Sequence, residues 1–321
     1  LVIILASELI VNAADNLKRN YTPAFIGGSI LGLLTNLPDI FIIFAAVLTF
    51  SGKLALATVL GGNILAFTLG YSLVIATNAY YNKEELMLSK DVRRELVYLV
   101  SSSAIVVIGA AAGKFYWWAG ALMCTLFIVY ISTGIRNESR RMLNLKNRLE
   151  GYSLKEKALA KSMVGLSKGT LLINAAEIAA GAFILTYSAK PFVTAIVSLS
   201  GSLGIPLLLT GVLIAPIAAE APELVSTVVL AKRSMEDAVM AVANIVGSKV
   251  QSNTLVLGLA IILASALGTP IETGREFGSV LLLILINLYG LRATYDLTLT
   301  KRDAVISLLL YPVVIGAIAF L

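Results

Sequence analysis

Leu34-Thr35-Asn36-Leu37-Pro38-Asp39 and Ala219-Glu220-Ala221-Pro222-Glu223 each place a carboxylate directly after a proline, inside apolar sequence long enough to cross a membrane. Each is followed by a glycine cluster. Gly61-Gly62-Asn63 ends 24 residues beyond Asp39, and Gly247-Ser248-Lys249 ends 26 residues beyond Glu223. A charge at bilayer depth costs about 2.5 to 3.5 kcal/mol on insertion scales, so such acids face a water-filled cavity or a partner and mark ion paths. Matched acids in two halves of one chain therefore point to transport. The repeat extends upstream, where Pro23 precedes Pro38 by 15 residues and Pro206 precedes Pro222 by 16. Val11-Asn12-Ala13-Ala14-Asp15 resembles Ile173-Asn174-Ala175-Ala176-Glu177, but at a separation of 162 residues where the proline pair is separated by 184. That second match is read as coincidence, and Glu177 as an interfacial acid or one lying behind the site.

Composition sets the solvent. Of 321 residues, 58% are hydrophobic and 14% charged, whereas about a quarter are charged in a soluble domain. Mean hydropathy is +0.89. Apolar stretches of about 20 residues span the hydrocarbon core, and ten are expected: 1–17, 23–50, 54–78, 95–113, 115–134, 169–200, 205–230, 237–266, 276–292 and 304–321. The span around Pro191 is the least regular. Because the sequence opens on apolar Leu1, further residues are expected upstream, and no cleavable signal with a basic n-region is visible. The fold class expected is an all-α membrane protein of ten transmembrane helices in two inverted five-helix repeats. Residues 1–134 form the first repeat, 135–168 a basic cytoplasmic linker and 169–321 the second. In the linker, Met142, Leu143, Leu145, Leu149, Leu154, Ala158 and Leu159 recur at roughly helical spacing, as in an amphipathic helix on the inner leaflet; a solvated connector accounts for the stretch equally well.

Charge placement sets the orientation. With the first residue outside, inner loops hold 20 of the 25 lysines and arginines, and only Lys53, Lys114 and Arg275 lie outside. Cytoplasmic loops carry such an excess. The chain is therefore expected in the cell membrane as a multi-pass protein with its central loop cytoplasmic. Its net charge of +6 calls for no nucleic-acid partner, because the basic residues fall where anionic headgroups lie. The partners expected are the lipid bilayer and inorganic cations. An odd number of spans per half turns the halves over relative to one another, the inverted-repeat plan of many secondary transporters.

Histidine is absent and cysteine occurs once, as Cys124. The remaining carboxylates, amides, hydroxyls and backbone carbonyls suit hard cations. A proline in a membrane helix removes a donor and crowds the preceding turn, so Pro38 and Pro222 are each expected to interrupt their helix and free carbonyls. Asp39 and Glu223 would then supply two negative charges from opposite halves, with Thr35, Asn36, Asn63, Ser248 and Gln251 as further oxygen donors. The glycines let neighbouring helices approach closely. Tyr80, Tyr81, Trp117 and Trp118 read as interfacial anchors. Glu8 and Asp15 share a face of the first span and read as acids near its two ends.

These residues resemble the signature of the calcium/cation antiporter superfamily, whose repeats carry a Gly-Thr-Ser-Leu-Pro-Glu-like segment and a later Gly-Ser-Asn-like segment. The resemblance covers most of the membrane part. It implies that Asp39 and Glu223 coordinate calcium and bind the counter-cation. Thr35 and Asn36 fall at the hydroxyl positions of the first motif, and Asn63 and Ser248 lie in the glycine-cluster motifs. It also implies a first helix that slides across the core. Five residues depart from that pattern. Asp39 replaces the usual glutamate, Glu220 stands where a small polar residue is usual, Lys249 replaces an amide, and Ala66 and Ser252 stand where sodium/calcium exchangers often carry an amide or acid. Glu223 and the Gly247-Ser248 to Gln251 spacing look more like proton/calcium exchangers. Lys249 with Glu220 is read either as a pair that replaces one counter-ion site, favouring protons, or as a structural ion pair beside the site.

The function expected is antiport of calcium, or a related divalent cation, against protons or sodium, with Asp39 and Glu223 as metal ligands, Glu220 beside them and Lys249 compensating charge. No cofactor is expected. The alternatives are a passive cation channel and an exchanger for a different cation. An enzyme is not expected: the chain has no Gly-x-x-x-x-Gly-Lys-Ser/Thr loop, no His-Glu-x-x-His, and no Gly-x-Gly-Asp to accompany Tyr295-Asp296.

Overall fold

Runs of apolar residues with few breakers leave the backbone one way to satisfy its own polar groups in lipid, which is to coil. The computed structural model describes residues 28–29, 32–149, 168–274 and 277–320, and these are mostly helical. In chain order the helices are α1 (Gly32–Thr35), α2 (Leu37–Leu48), α3 (Gly52–Leu65), α4 (Tyr71–Tyr81), α5 (Lys90–Ala111), α6 (Trp117–Leu149), α7 (Lys168–Leu203), α8 (Leu207–Arg233), α9 (Met235–Gln251), α10 (Leu257–Ala266), α11 (Phe277–Thr294) and α12 (Lys301–Phe320). A π-turn at Ala66–Gly70 joins α3 to α4, and a second at Ser252–Val256 joins α9 to α10. Each glycine cluster thus runs into the same irregularity.

Five helices among the described residues are long and apolar enough to cross a bilayer: Gly52–Tyr81, Val92–Ala111, Trp117–Arg141, Ala179–Leu203 and Met235–Ala266. A sixth span is broken, with Leu209–Ala221 and Glu223–Arg233 meeting at 48°. Leu37–Leu48 and Val280–Thr294 are shorter apolar helices. The first expected span, with Glu8 and Asp15, and most of the expected linker helix lie outside the described residues.

Both prolines sit at breaks, but not in the same way. In the second half the bend falls at Pro222 itself, between Ala221 and Glu223. In the first half it falls at Asn36, and Pro38 is in the opening turn of α2, where a missing N–H costs nothing because that donor has no partner in the helix. Pro191, by contrast, is accommodated inside α7. Helix ends follow their residues. Gly204 (φ +64°) stops α7 in the left-handed conformation that glycine permits. Ser234 caps α9 by accepting from the Asp237 N–H at 3.1 Å, with Glu236 and Asp237 at the positive end of the helix dipole.

The centre of the bundle is α3. Every residue from Leu54 to Leu65 is buried, as expected of a helix enclosed on all sides. Small residues bring α8 against it. A Cβ on Gly61 would lie 2.6 Å from Pro216 Cγ and 2.7 Å from the Val212 carbonyl, and one on Gly211 would lie 2.7 Å from Leu54 Cδ1. The halves are also tied at both ends. At one end β1 (Leu86–Met87) pairs antiparallel with β2 (Thr298–Leu299). At the other, Phe115 N–H donates to the Ile271 carbonyl at 2.9 Å and Lys114 bridges to Glu272. Tyr80, Tyr81, Trp117 and Trp118 are exposed at helix ends.

Candidate cation site

The two breaks and the two glycine clusters meet inside the bundle. At the first break Asn36 turns its side chain to α9: its Nδ2 donates to the Ser248 carbonyl at 2.7 Å, and its Oδ1 accepts from Ser252 Oγ at 3.0 Å. Gly32 permits this approach, since a Cβ there would lie 3.0 Å from the Ser248 nitrogen. At the second break Glu223 takes a hydrogen bond from Ser248 Oγ at 2.8 Å. Ser248 thus touches both breaks, its carbonyl serving the first and its hydroxyl the second.

Glu220 and Glu223 stand three residues apart on α8 and share a face. Lys249 reaches both: its ammonium is paired with Glu220 Oε1 and lies 3.6 Å from Glu223 Oε2. Asp39 completes the group, buried in the electrostatic field of both Glu220 and Lys249. Exposure is 3% for Asp39, 4% for Glu220, 3% for Glu223 and 0% for Lys249, so these four side chains are shielded from bulk water. Gly62 makes the room. A Cβ there would lie 2.5 Å from Glu220 Oε1 and 3.5 Å from Lys249 Nζ.

The other expected site residues are placed as follows. Asn63 is fully buried and exchanges two hydrogen bonds with Asn253, at 3.1 and 3.2 Å, while Asn253 Nδ2 also donates to the Lys249 carbonyl at 2.9 Å. Gln251 bonds to the opposite half, its Nε2 donating to the carbonyls of Gly28 at 2.8 Å and Ser29 at 3.2 Å. The Thr35 side chain is outside the described residues. Among the described residues no three acidic side chains form a cage for a metal ion, and the Lys249 ammonium stands between Glu220 and Glu223.

The sequence reading missed Asn253, Tyr130 and Glu95. Asn253 lies one helical turn beyond Lys249, the one local sign that it shares that face. Tyr130 on α6 donates to the Gly28 carbonyl at 3.0 Å and lies 3.4 Å from buried Glu95 on α5. A Cβ on Gly28 would fall on the Glu95 carboxylate, which would have to shift to admit it. No spacing in the sequence brings Gly28 together with α5 and α6.

Such a set of buried oxygen donors, drawn from opposite halves at broken helices, suits a cation path. The family model of the sodium/calcium exchanger protein matches residues 1–135 and 174–320. The chain belongs to this family. Members of the sodium/calcium exchanger family are transporters, and antiport, calcium transport and residence in a membrane go with that membership. Solved structures share the fold. The H+/Ca2+ exchanger CAX superimposes with a TM-score of 0.79 at 22% identity, covering 99% of this chain and 82% of CAX. Native YfkE gives 0.72 at 17% identity over 99% and 90%. The sodium-calcium exchanger NCX_Mj gives 0.66 at 18% identity over 98% and 95%. A comparison with curated protein sequences gives no match.

Proposed function

We propose that this chain is a secondary antiporter that exchanges calcium, or a related divalent cation, for protons or sodium by alternating access at Asp39 and Glu223. The observation that carries the reading is the meeting of Asp39 and Glu223, from opposite halves and at two helix breaks, in one buried group with Glu220 and Lys249. Two carboxylates flanked by carbonyl and amide oxygens are the donors calcium takes. Asn36 and Ser248 are fixed beside the carboxylates by the hydrogen bonds described above, and carbonyl oxygens keep a second lone pair for a cation. Asn63, Thr35 and Gln251 complete the proposed donor set on their sequence positions.

The proposed architecture is ten spans in two inverted five-helix repeats, 1–134 and 169–321, about a cytoplasmic linker over 135–168. The matched π-turns and the pairing of α-helical halves at both ends support it. The proposed orientation puts β1 and β2 inside, where Lys83, Lys90, Arg93, Arg94, Lys301 and Arg302 cluster. The first and sixth spans would move against the other eight. In support, Ala179–Leu203 is the least enclosed long span, 19% buried against 83% for each glycine-cluster span.

Calcium uptake into proteoliposomes tests the reading, with sodium and proton gradients imposed separately. Uptake should follow one gradient and be lost in Glu223→Gln and in Asp39→Asn. Calcium flux that runs only downhill, with no counter-ion gradient able to drive it, would make the protein a passive channel and overturn the proposal.

A further inference from the structure

We propose that the Lys249 ammonium is a built-in cation, filling beside Glu220 and Glu223 a place that a bound monovalent cation would otherwise take, and thereby fixing how many counter-ions the exchanger moves. The inference rests on the antiport reading above. Lys249 and Asn63 hold corresponding positions, each three residues before its π-turn, at Ser252 and Ala66. In the first half that position carries a neutral amide bound to Asn253; in the second it carries a charge. The charge is accommodated rather than merely present. Glu220 comes with it as a partner, and Gly62 on the facing helix leaves space for both head groups.

Counting charge gives the consequence. With all four groups ionised, the three carboxylates and one ammonium leave two net negative charges. One divalent cation or two monovalent cations neutralise that, so exchange is electrically silent. Removing the ammonium alone leaves a third buried carboxylate charge without a partner, an expensive state that a further monovalent cation relieves. Removing Glu220 alone has the opposite effect. The freed ammonium has Glu223 Oε2 already 3.6 Å away and competes there with the divalent ion.

The test uses the full chain. In proteoliposomes held at zero membrane potential, the counter-ion gradient that balances a fixed calcium gradient gives the number of counter-ions per calcium: two for wild type and Lys249→Arg, three for Lys249→Asn. A value of two for active Lys249→Asn overturns the proposal. A readout that needs no transport is thermal unfolding in detergent, comparing sodium with a bulky organic cation at equal ionic strength. Lys249→Asn should gain stabilisation by sodium beyond any that wild type shows, and the absence of that gain overturns the proposal. Should Lys249→Asn not fold, Glu220→Gln decides: calcium binding should weaken by about ten-fold or more, the scale of a disrupted buried charge pair, and recover in Glu220→Gln/Lys249→Asn. Binding unchanged in Glu220→Gln overturns the proposal. If wild type neither binds nor moves calcium, the calcium reading falls on its own, while the sodium effect on Lys249→Asn still reports on the ammonium.

Discussion

Asn253 holds Asn63 by both ends of its carboxamide, and neither group reaches water. Asn253→Ala therefore leaves a buried amide with unmet donors and acceptors, at a cost of about 1 to 3 kcal/mol. A lowered unfolding midpoint should report it, with part of the loss regained in Asn63→Ala/Asn253→Ala, where neither amide is left stranded. Ser248 is a sharper case because its two polar groups serve different helices. Ser248→Ala keeps the carbonyl that Asn36 uses and removes the donor to Glu223. Calcium affinity should fall by roughly two- to ten-fold, the worth of a single hydrogen bond, as measured by titration calorimetry, while the fold is retained. An unchanged affinity would place Glu223 outside the binding step.

Helix breaks and glycine contacts are the features at which sequence and structure can be compared most directly. Asp39, Glu223 and the glycine clusters were legible because lipid makes local composition decisive: a charge or a proline in a span needs a reason. The position of the first break was not. Proline tolerance in an opening helical turn depends on where the helix starts, and that start is set by Asn36 bonding to a helix more than 200 residues away. Asn253, Tyr130 and Glu95 were hidden for the same reason, since their partners are remote in sequence. Gly62→Ala tests the α3 contact. Its Cβ would press on Glu220, so transport should drop sharply with membrane insertion and monodispersity unchanged. Gly61→Ala instead meets the backbone of α8 and should destabilise the bundle by about 1 to 3 kcal/mol, as overpacking does. Equal effects of the two on transport and on unfolding would mean that Gly62 serves packing alone.

At the scale of the molecule the two halves are joined through the middle by α3 and α8 and through both ends by short backbone contacts. The β1–β2 register puts Leu86 opposite Leu299, a cross-strand spacing that a disulfide spans. In a Cys124→Ala background, Leu86→Cys/Leu299→Cys should oxidise readily and exchange calcium at an undiminished rate. Inhibition on oxidation, reversed by a reductant, would show that this end opens during the cycle. Among the described residues the two halves are laced at both rims, one by Leu86–Leu299 and the other by Phe115–Ile271. Under the proposed alternating access, the element left to gate the cation is α7 on the outside of that frame, so a ligand that glues α7 to its neighbours should stop exchange without ever touching a carboxylate.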